Sequence, residues 1–245
     1  MDNLKEAMEF IRGLGVQAEK INPVVINGKT YVKNIPLQRM DVEDKAKALE
    51  VSNLTSLVDY IQDKPSELRD SMIIHIVKPT EVRLISGLNN ERDRETLLIS
   101  NCNPFGFKFD TWYNQEEFII NLQTAFQETD DLKLILKVAG NVESNSTANY
   151  GDDGCTQMTT IKKGIASKEN VLVPNPVTLK PYRTFLEVDQ PESKFVFRIS
   201  ERDGAPMFKI VAADGGLWKY QAVKNIKNYL QENIDAEEKS IAIIG

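Results

Sequence analysis

Three apolar runs of strand length lie close together between residues 72 and 100, and they constrain the fold more than any other feature of the chain. They are Met72–Val77, Glu81–Ser86 and Glu95–Ser100. The polar stretch Asn89-Asn90-Glu91-Arg92-Asp93 separates the last two and reads as a hairpin tip, so the three runs predict an antiparallel meander. A second strand-rich block follows residue 155: Thr156–Lys163, Asn170–Val173, Tyr182–Val188, Lys194–Ser200 and Met207–Ala212. Arg202-Asp203-Gly204-Ala205 reads as the turn between the last two. Alternation puts Phe195, Phe197 and Ile199 on one face, with Val196 and Arg198 on the other. Phe107 and Phe109 alternate as a further short strand.

Helical spacing occupies separate stretches. Leu4, Ala7, Met8, Ile11 and Leu14 mark a first helix, and Leu54, Leu57, Val58 and Ile61 a second behind Ser52 or Asn53. Asn114 caps a third with Phe118, Ile119, Leu122, Ala125 and Phe126 inward, and Asp130 or Asp131 starts a fourth. A closing helix runs from about Gly216 to Ile234. Val24-Val25-Ile26 and Thr30-Tyr31-Val32 flank Asn27-Gly28, a strong hairpin signal because both turn residues tolerate positive φ. Segregated blocks of this kind predict an α+β fold of antiparallel sheets, built as a meander and hairpins, with amphipathic helices set apart from them.

The expected organisation is an N-terminal helix, hairpin and charged connector over residues 1–50, a main domain over 51–234, and a tail over 235–245. The tail ends Ser240-Ile241-Ala242-Ile243-Ile244-Gly245, apolar enough to predict strand addition to a neighbouring subunit, and with it a homo-oligomer. The small polar residues of 141–154 read as a loop.

A net charge of −6 argues against a broad grip on duplex DNA, which needs a basic surface to displace counterions; a local basic pocket for a small anion remains open. Cys102 and Cys155 form no CxxC pair, so no structural zinc site is expected and the thiols read as reduced. No basic stretch leads into an apolar run at the N-terminus, and nothing approaches the ~18 apolar residues of a membrane span. A cytoplasmic protein without a membrane segment is the expectation.

Catalytic signatures are incomplete. The single histidine, His75, sits in a continuous apolar run and reads as a sheet residue. GxSxG, Walker A and GxGxxG motifs are absent. Asp152 and Asp153 are adjacent, without the alternating ligands of an EF-hand loop, and read as a solvated turn. Glu192-Ser193-Lys194 resembles the Glu-x-Lys of metal-dependent nucleases, with only the remote Asp152 or Asp153 to complete it. The richest polar set is Arg183, Thr184, Gln190 and Ser193, preceded by Lys163 and followed by Arg198. Cations beside hydroxyls and an amide suit a phosphate and a nucleobase edge. Lys163, Arg183 and Arg198 would meet phosphates; Thr184, Gln190 and Ser193 would fix a base or ribose. This predicts a binding protein without catalysis, needing no cofactor and no metal, for a small anionic or nucleotide-like ligand. The alternatives are a nuclease or DNA-metabolism factor using Glu192 and Lys194, and a protein-interaction role for Ile241–Ile244.

The run Gln157, Val173-Pro174-Asn175-Pro176, Pro181-Tyr182-Arg183-Thr184-Phe185, Glu187-Val188, Gln190-Pro191, Ser193, Phe195 and Phe197-Arg198 resembles the YfdQ-like family of phage and prophage proteins. Leu54–Ile61 and the stretch from Trp112 to Phe126 agree more loosely, so the resemblance spans about residues 50–234. It implies an accessory phage product acting in the bacterial host cytoplasm and no particular activity; sequestration of a nucleotide-derived host immune signal is the role expected from that setting together with the polar set above. It assigns no function to any residue.

Overall fold

The structure is a computed structural model that describes residues 5–13, 23–32, 38–39, 45–68, 71–89, 92–142, 156–163, 167–234 and 241–245. The chain divides into two compact units, Met1–Lys45 and Ala46–Gly245. In the first, residues 5–13 are helical (α1), and β1 (Pro23–Ile26), β2 (Lys29–Val32) and β3 (Gln38–Arg39) form an antiparallel sheet. Asn27 and Gly28 both take positive φ, as a two-residue turn between twisted strands requires.

The second unit carries two five-stranded sheets, and the fold is α+β. Sheet I has the order β15-β5-β6-β7-β4. Its centre is the expected meander of β5 (Met72–Lys78), β6 (Glu81–Ser86) and β7 (Thr96–Asn101). The edges are β4 (Leu49–Val51), parallel to β7, and β15 (Ala242–Ile244), parallel to β5. Helices α2 (Leu54–Gln62) and α5 (Leu217–Asn233) share its core: Leu54, Leu57 and Ile61 of α2 meet Ile74, Leu84 and Leu98 of the strands and Ile226 and Leu230 of α5. The Asn53 side chain accepts the Ser56 amide and caps α2.

Sheet II has the order β8-β14-β13-β12-β9 and is antiparallel throughout. Its long members are β13 (Ser193–Arg202) and β14 (Ala205–Ala212); β12 (Val177–Pro181), β8 (Tyr113–Asn114) and β9 (Phe126–Gln127) complete it. Helices α3 (Gln115–Ala125) and α4 (Asp130–Asn141) pack on its inner face. Phe118 stands at the centre, stacked on Phe208 at 5.1 Å and on Phe197 at 5.9 Å between ring centroids. Each such burial contributes about 1.5–3 kcal/mol. A separate hairpin pairs β10 (Thr156–Lys163) with β11 (Ser167–Pro174).

Four departures from the sequence expectations have physical causes. The connector expected to end at residue 50 ends at Lys45, because Leu49–Val51 pairs with β7. The apolar tail pairs with β5 of its own chain as an edge strand, so one side of its backbone is satisfied within the subunit. Phe107 is buried, yet residues 107–112 form no ladder, and Asp110 adopts positive φ. Residues 182–188 are irregular; the strand lies just before them, over Val177–Pro181. The loop of 141–154 lies outside the described residues from 143 onward.

Phe118→Ala is expected to destabilise the protein by about 3–5 kcal/mol, measured by urea unfolding. Removing residues 241–245 should lower the melting temperature and leave the subunit count in solution unchanged. A reduced subunit count at unaltered stability would show instead that the strand serves between copies.

Candidate functional site

The connection from β12 to β13, residues 182–192, builds the site. It leaves sheet II, drops Phe185 and Val188 into the core of sheet I, and returns. Gln190 holds this excursion in shape. Its Oε1 accepts the amides of Arg183 at 3.0 Å and Thr184 at 3.2 Å, and its Nε2 donates to the carbonyls of Phe185 at 2.8 Å and Val188 at 3.3 Å. One buried side-chain amide thus supplies the partners that a neighbouring strand would have given, which is why 182–188 needs no ladder. Thr184 donates its hydroxyl to the Pro79 carbonyl in the β5–β6 turn. Glu187 accepts the amides of Leu54 at 2.6 Å and Thr55 at 3.3 Å, at the start of α2.

Arg183 points into the seam where β13 meets the beginning of α5. Its guanidinium lies 4.2 Å from the Trp218 ring centroid and 5.5 Å from that of Phe195, and Nη2 donates to Ser193 Oγ. Its buried Nε–H has no acceptor. Burial pushes the guanidinium down to about 10, with Asp214 acting in the opposite direction. Asp214 accepts the amides of Gly216 at 3.1 Å and Trp218 at 3.3 Å. Gly215 and Gly216 take φ of 62° and 85°, and that left-handed turn lets the carboxylate face back onto the helix start. Burial disfavours the Asp214 charge, but the Gly216 amide, the Ser193 hydroxyl, the Trp218 amide and the Arg183 charge together outweigh it, so the carboxyl titrates below the usual aspartate range.

Ser193, Asp214 and Trp218 also line an open groove of about 610 Å³, together with Lys194, Glu192 and Tyr220. Among the described residues Lys194 makes no ion pair, whereas Glu192 lies 3.8 Å from Lys180. A larger groove of about 780 Å³ opens beside Cys102, Phe105, Tyr182 and Leu186. Glu187, its only charged lining group, is committed to α2, and burial pushes the Cys102 thiol up to about 11, so it stays protonated and unreactive near neutrality.

The structure therefore brings Arg183, Thr184, Gln190 and Ser193 together and gives them unequal parts. Thr184 and Gln190, each 1% exposed, spend their hydrogen bonds on backbone; they shape the loop and do not present a polar edge to a ligand. Arg198 sits five residues along β13 from Ser193, about 16 Å at ~3.3 Å per residue, and on the opposite face of the sheet. It belongs to no common site with Arg183. Lys163 ends β10, and its side chain lies outside the described residues, as do Asp152 and Asp153. Among the described residues no cluster of His, Cys, Asp and Glu could hold a metal ion, and no helix is long and apolar enough to cross a membrane. Sequence reasoning missed Asp214, Trp218 and Tyr220. The Asp214-Gly215-Gly216 turn before a helix was the available signal, but nothing local placed it beside Arg183. Comparison with protein-family models, curated proteins and solved structures finds no match.

Gln190→Leu should cost about 2–4 kcal/mol, because it leaves buried amides and carbonyls without partners; urea unfolding reads it directly. For Asp214, whose folded pKa is depressed, the stabilisation is fully present above the unfolded value of ~3.9 and is lost as pH falls through the lower folded value. An unfolding series from pH 5 to pH 2 should show a shallower acid limb in Asp214→Asn than in the parent.

Proposed function

We propose that this protein is a binding protein without catalytic chemistry, and that the groove between β13 and the start of α5 takes a small ligand joining an anionic group to a planar ring. The observation that carries the reading is the state of Arg183. It is a desolvated cation stacked on Trp218, with one hydroxyl as its hydrogen-bonded acceptor and one buried N–H unsatisfied. Burying a cation is costly unless it is fully paired, and an anion in the adjoining groove would offset that charge across Ser193 and Trp218. Lys194 adds an uncommitted charge on the wall, and Tyr220, 71% exposed, adds an aromatic surface. The resemblance of residues 156–198 to YfdQ-like phage proteins gives the setting: the cytoplasm of a phage-infected or prophage-bearing bacterium, where a host nucleotide or nucleotide-derived signal is the candidate ligand and sequestration the candidate role.

The alternative reading, a metal-dependent nuclease, would use Glu192 and Lys194, which both line this groove, with Asp152 or Asp153, which lie outside the described residues. Protein taken directly from the expression host into native mass spectrometry should carry a stoichiometric small molecule, or acquire one from a nucleotide panel. At about a hundred times its Kd such a ligand adds ~2.7 kcal/mol of stability, which a thermal melt resolves. Trp218→Ala and Arg183→Gln should abolish the gain. A wild-type protein that stays apo and shows no thermal shift across the panel would remove the proposal.

A further inference from the structure

The groove of about 780 Å³ is enclosed by four stretches far apart in the chain: the start of α2, residues 102–105 after β7, the end of α3 and the β12–β13 connection. Its walls are fixed before any ligand arrives. The Cys102 amide donates to the Thr80 carbonyl at 3.0 Å, and the Tyr182 amide to the Ala125 carbonyl at 2.9 Å. Gln190 and Thr184 set the backbone that carries Leu186. A site already in shape binds without the cost of ordering itself. Phe185 and Leu186 are neighbours with opposite surroundings. Phe185 is fully buried in the core of sheet I, which holds Leu186, 76% exposed, out at the groove. Phe105, 60% exposed, lines the same groove. One exposed leucine or phenylalanine on a surface is ordinary; two held by fixed backbone around one hollow, with Pro104, make a shared apolar wall.

The charges around this wall are already engaged. Glu187 is the only ionised side chain in the lining, and it accepts the amides of Leu54 and Thr55. The Asn53 side chain accepts the Ser56 amide, so the start of α2 is capped twice. Lys78 lies close enough to act on the Cys102 thiol, and it is bridged to Glu81 at 3.1 Å. The thiol itself is uncharged near neutrality. An anion would meet Glu187 with no cation in the lining, and a cation would have to draw Glu187 from two backbone amides. Either would give up water without gaining a full partner. An uncharged ligand has no such loss. Ser52, Asn103 and Tyr182 offer it hydroxyls and an amide, and the volume lies within the ~300–1,000 Å³ of small-molecule sites.

We propose that this groove, independently of the one beside α5, binds an uncharged and largely apolar small molecule between Phe105 and Leu186.

The test titrates the full chain with N-phenylnaphthylamine, an uncharged fluorophore, and with anilinonaphthalene sulfonate, which adds one sulfonate to the same ring body. The uncharged probe should bind at one site per chain, about tenfold tighter than the sulfonate. Leu186→Ser and Phe105→Ser, both at exposed positions outside either core, should each weaken it about tenfold. Leu88→Ser, at a leucine 49% exposed outside the lining, should leave it unchanged. In a Cys155→Ser background Cys102 is the only thiol, and saturating probe should slow its alkylation by iodoacetamide at about pH 9 roughly tenfold. A sulfonate that binds as tightly as the uncharged probe overturns the selection for an uncharged ligand. Binding that ignores Leu186→Ser and Phe105→Ser, or that leaves Cys102 equally open to alkylation, puts the probe elsewhere and overturns the site. Absence of binding by the uncharged probe overturns the proposal outright.

Discussion

The amide of Gln190 is the interaction on which the arrangement of the second unit depends. Sheet I and sheet II each have their own core, one of aliphatic side chains shared with α2 and α5, the other of stacked phenylalanines shared with α3 and α4. The residues between β12 and β13 pass from one core to the other and back. They insert Phe185, close the start of α2 through Glu187, hold the Pro79 turn through Thr184 and meet α5 where Asn225 donates to the Asp189 carbonyl. An irregular segment at this depth is tolerated only if its backbone groups are paired, and Gln190 pairs four of them. A buried amide satisfied on both ends also gives that segment one conformation in place of many.

Arg183 follows from the same constraint. With its amide fixed by Gln190, its side chain enters the seam between Phe195 and Trp218, where aromatic faces partly replace the water it has lost. Ser193 and Asp214 complete its surroundings without neutralising it fully. The result is a positive charge held by rigid elements beside an open groove, with its counter-charge tied into the cap of α5. On the proposed reading that charge serves an anion in the groove.

On the proposed reading the groove serves recognition. Its carboxylates are engaged in a helix cap and an ion pair, and the one thiol described lies at the other groove with its proton held firmly. Proton transfer needs a group titrating near the working pH within reach of the substrate, and none of the groups with a displaced pKa meets that condition.

Much of the fold could be read from local pattern. The meander over residues 72–100, the Asn27-Gly28 hairpin, the Asn114 cap of α3 and the apolar stripe of Leu54–Ile61 are set by period, turn chemistry and capping, all of which act within a few residues. The functional candidates were half readable: Arg183 and Ser193 stand out by residue type, but type did not distinguish them from Thr184 and Gln190, whose polarity serves the loop. Whether a polar group faces a ligand or a neighbouring backbone is a matter of what lies across from it, over separations of up to 105 residues for Thr184 and Pro79. The pairing of the Ala242–Ile244 strand with β5, the replacement of a strand by Gln190 and the meeting of Arg183 with Trp218 are long-range contacts. The sequence by itself determined the helices, the meander and the inventory of charges; the tertiary structure decided the short edge strands and which of those charges were paired, because pairing is settled by distance in space and local sequence carries no record of it.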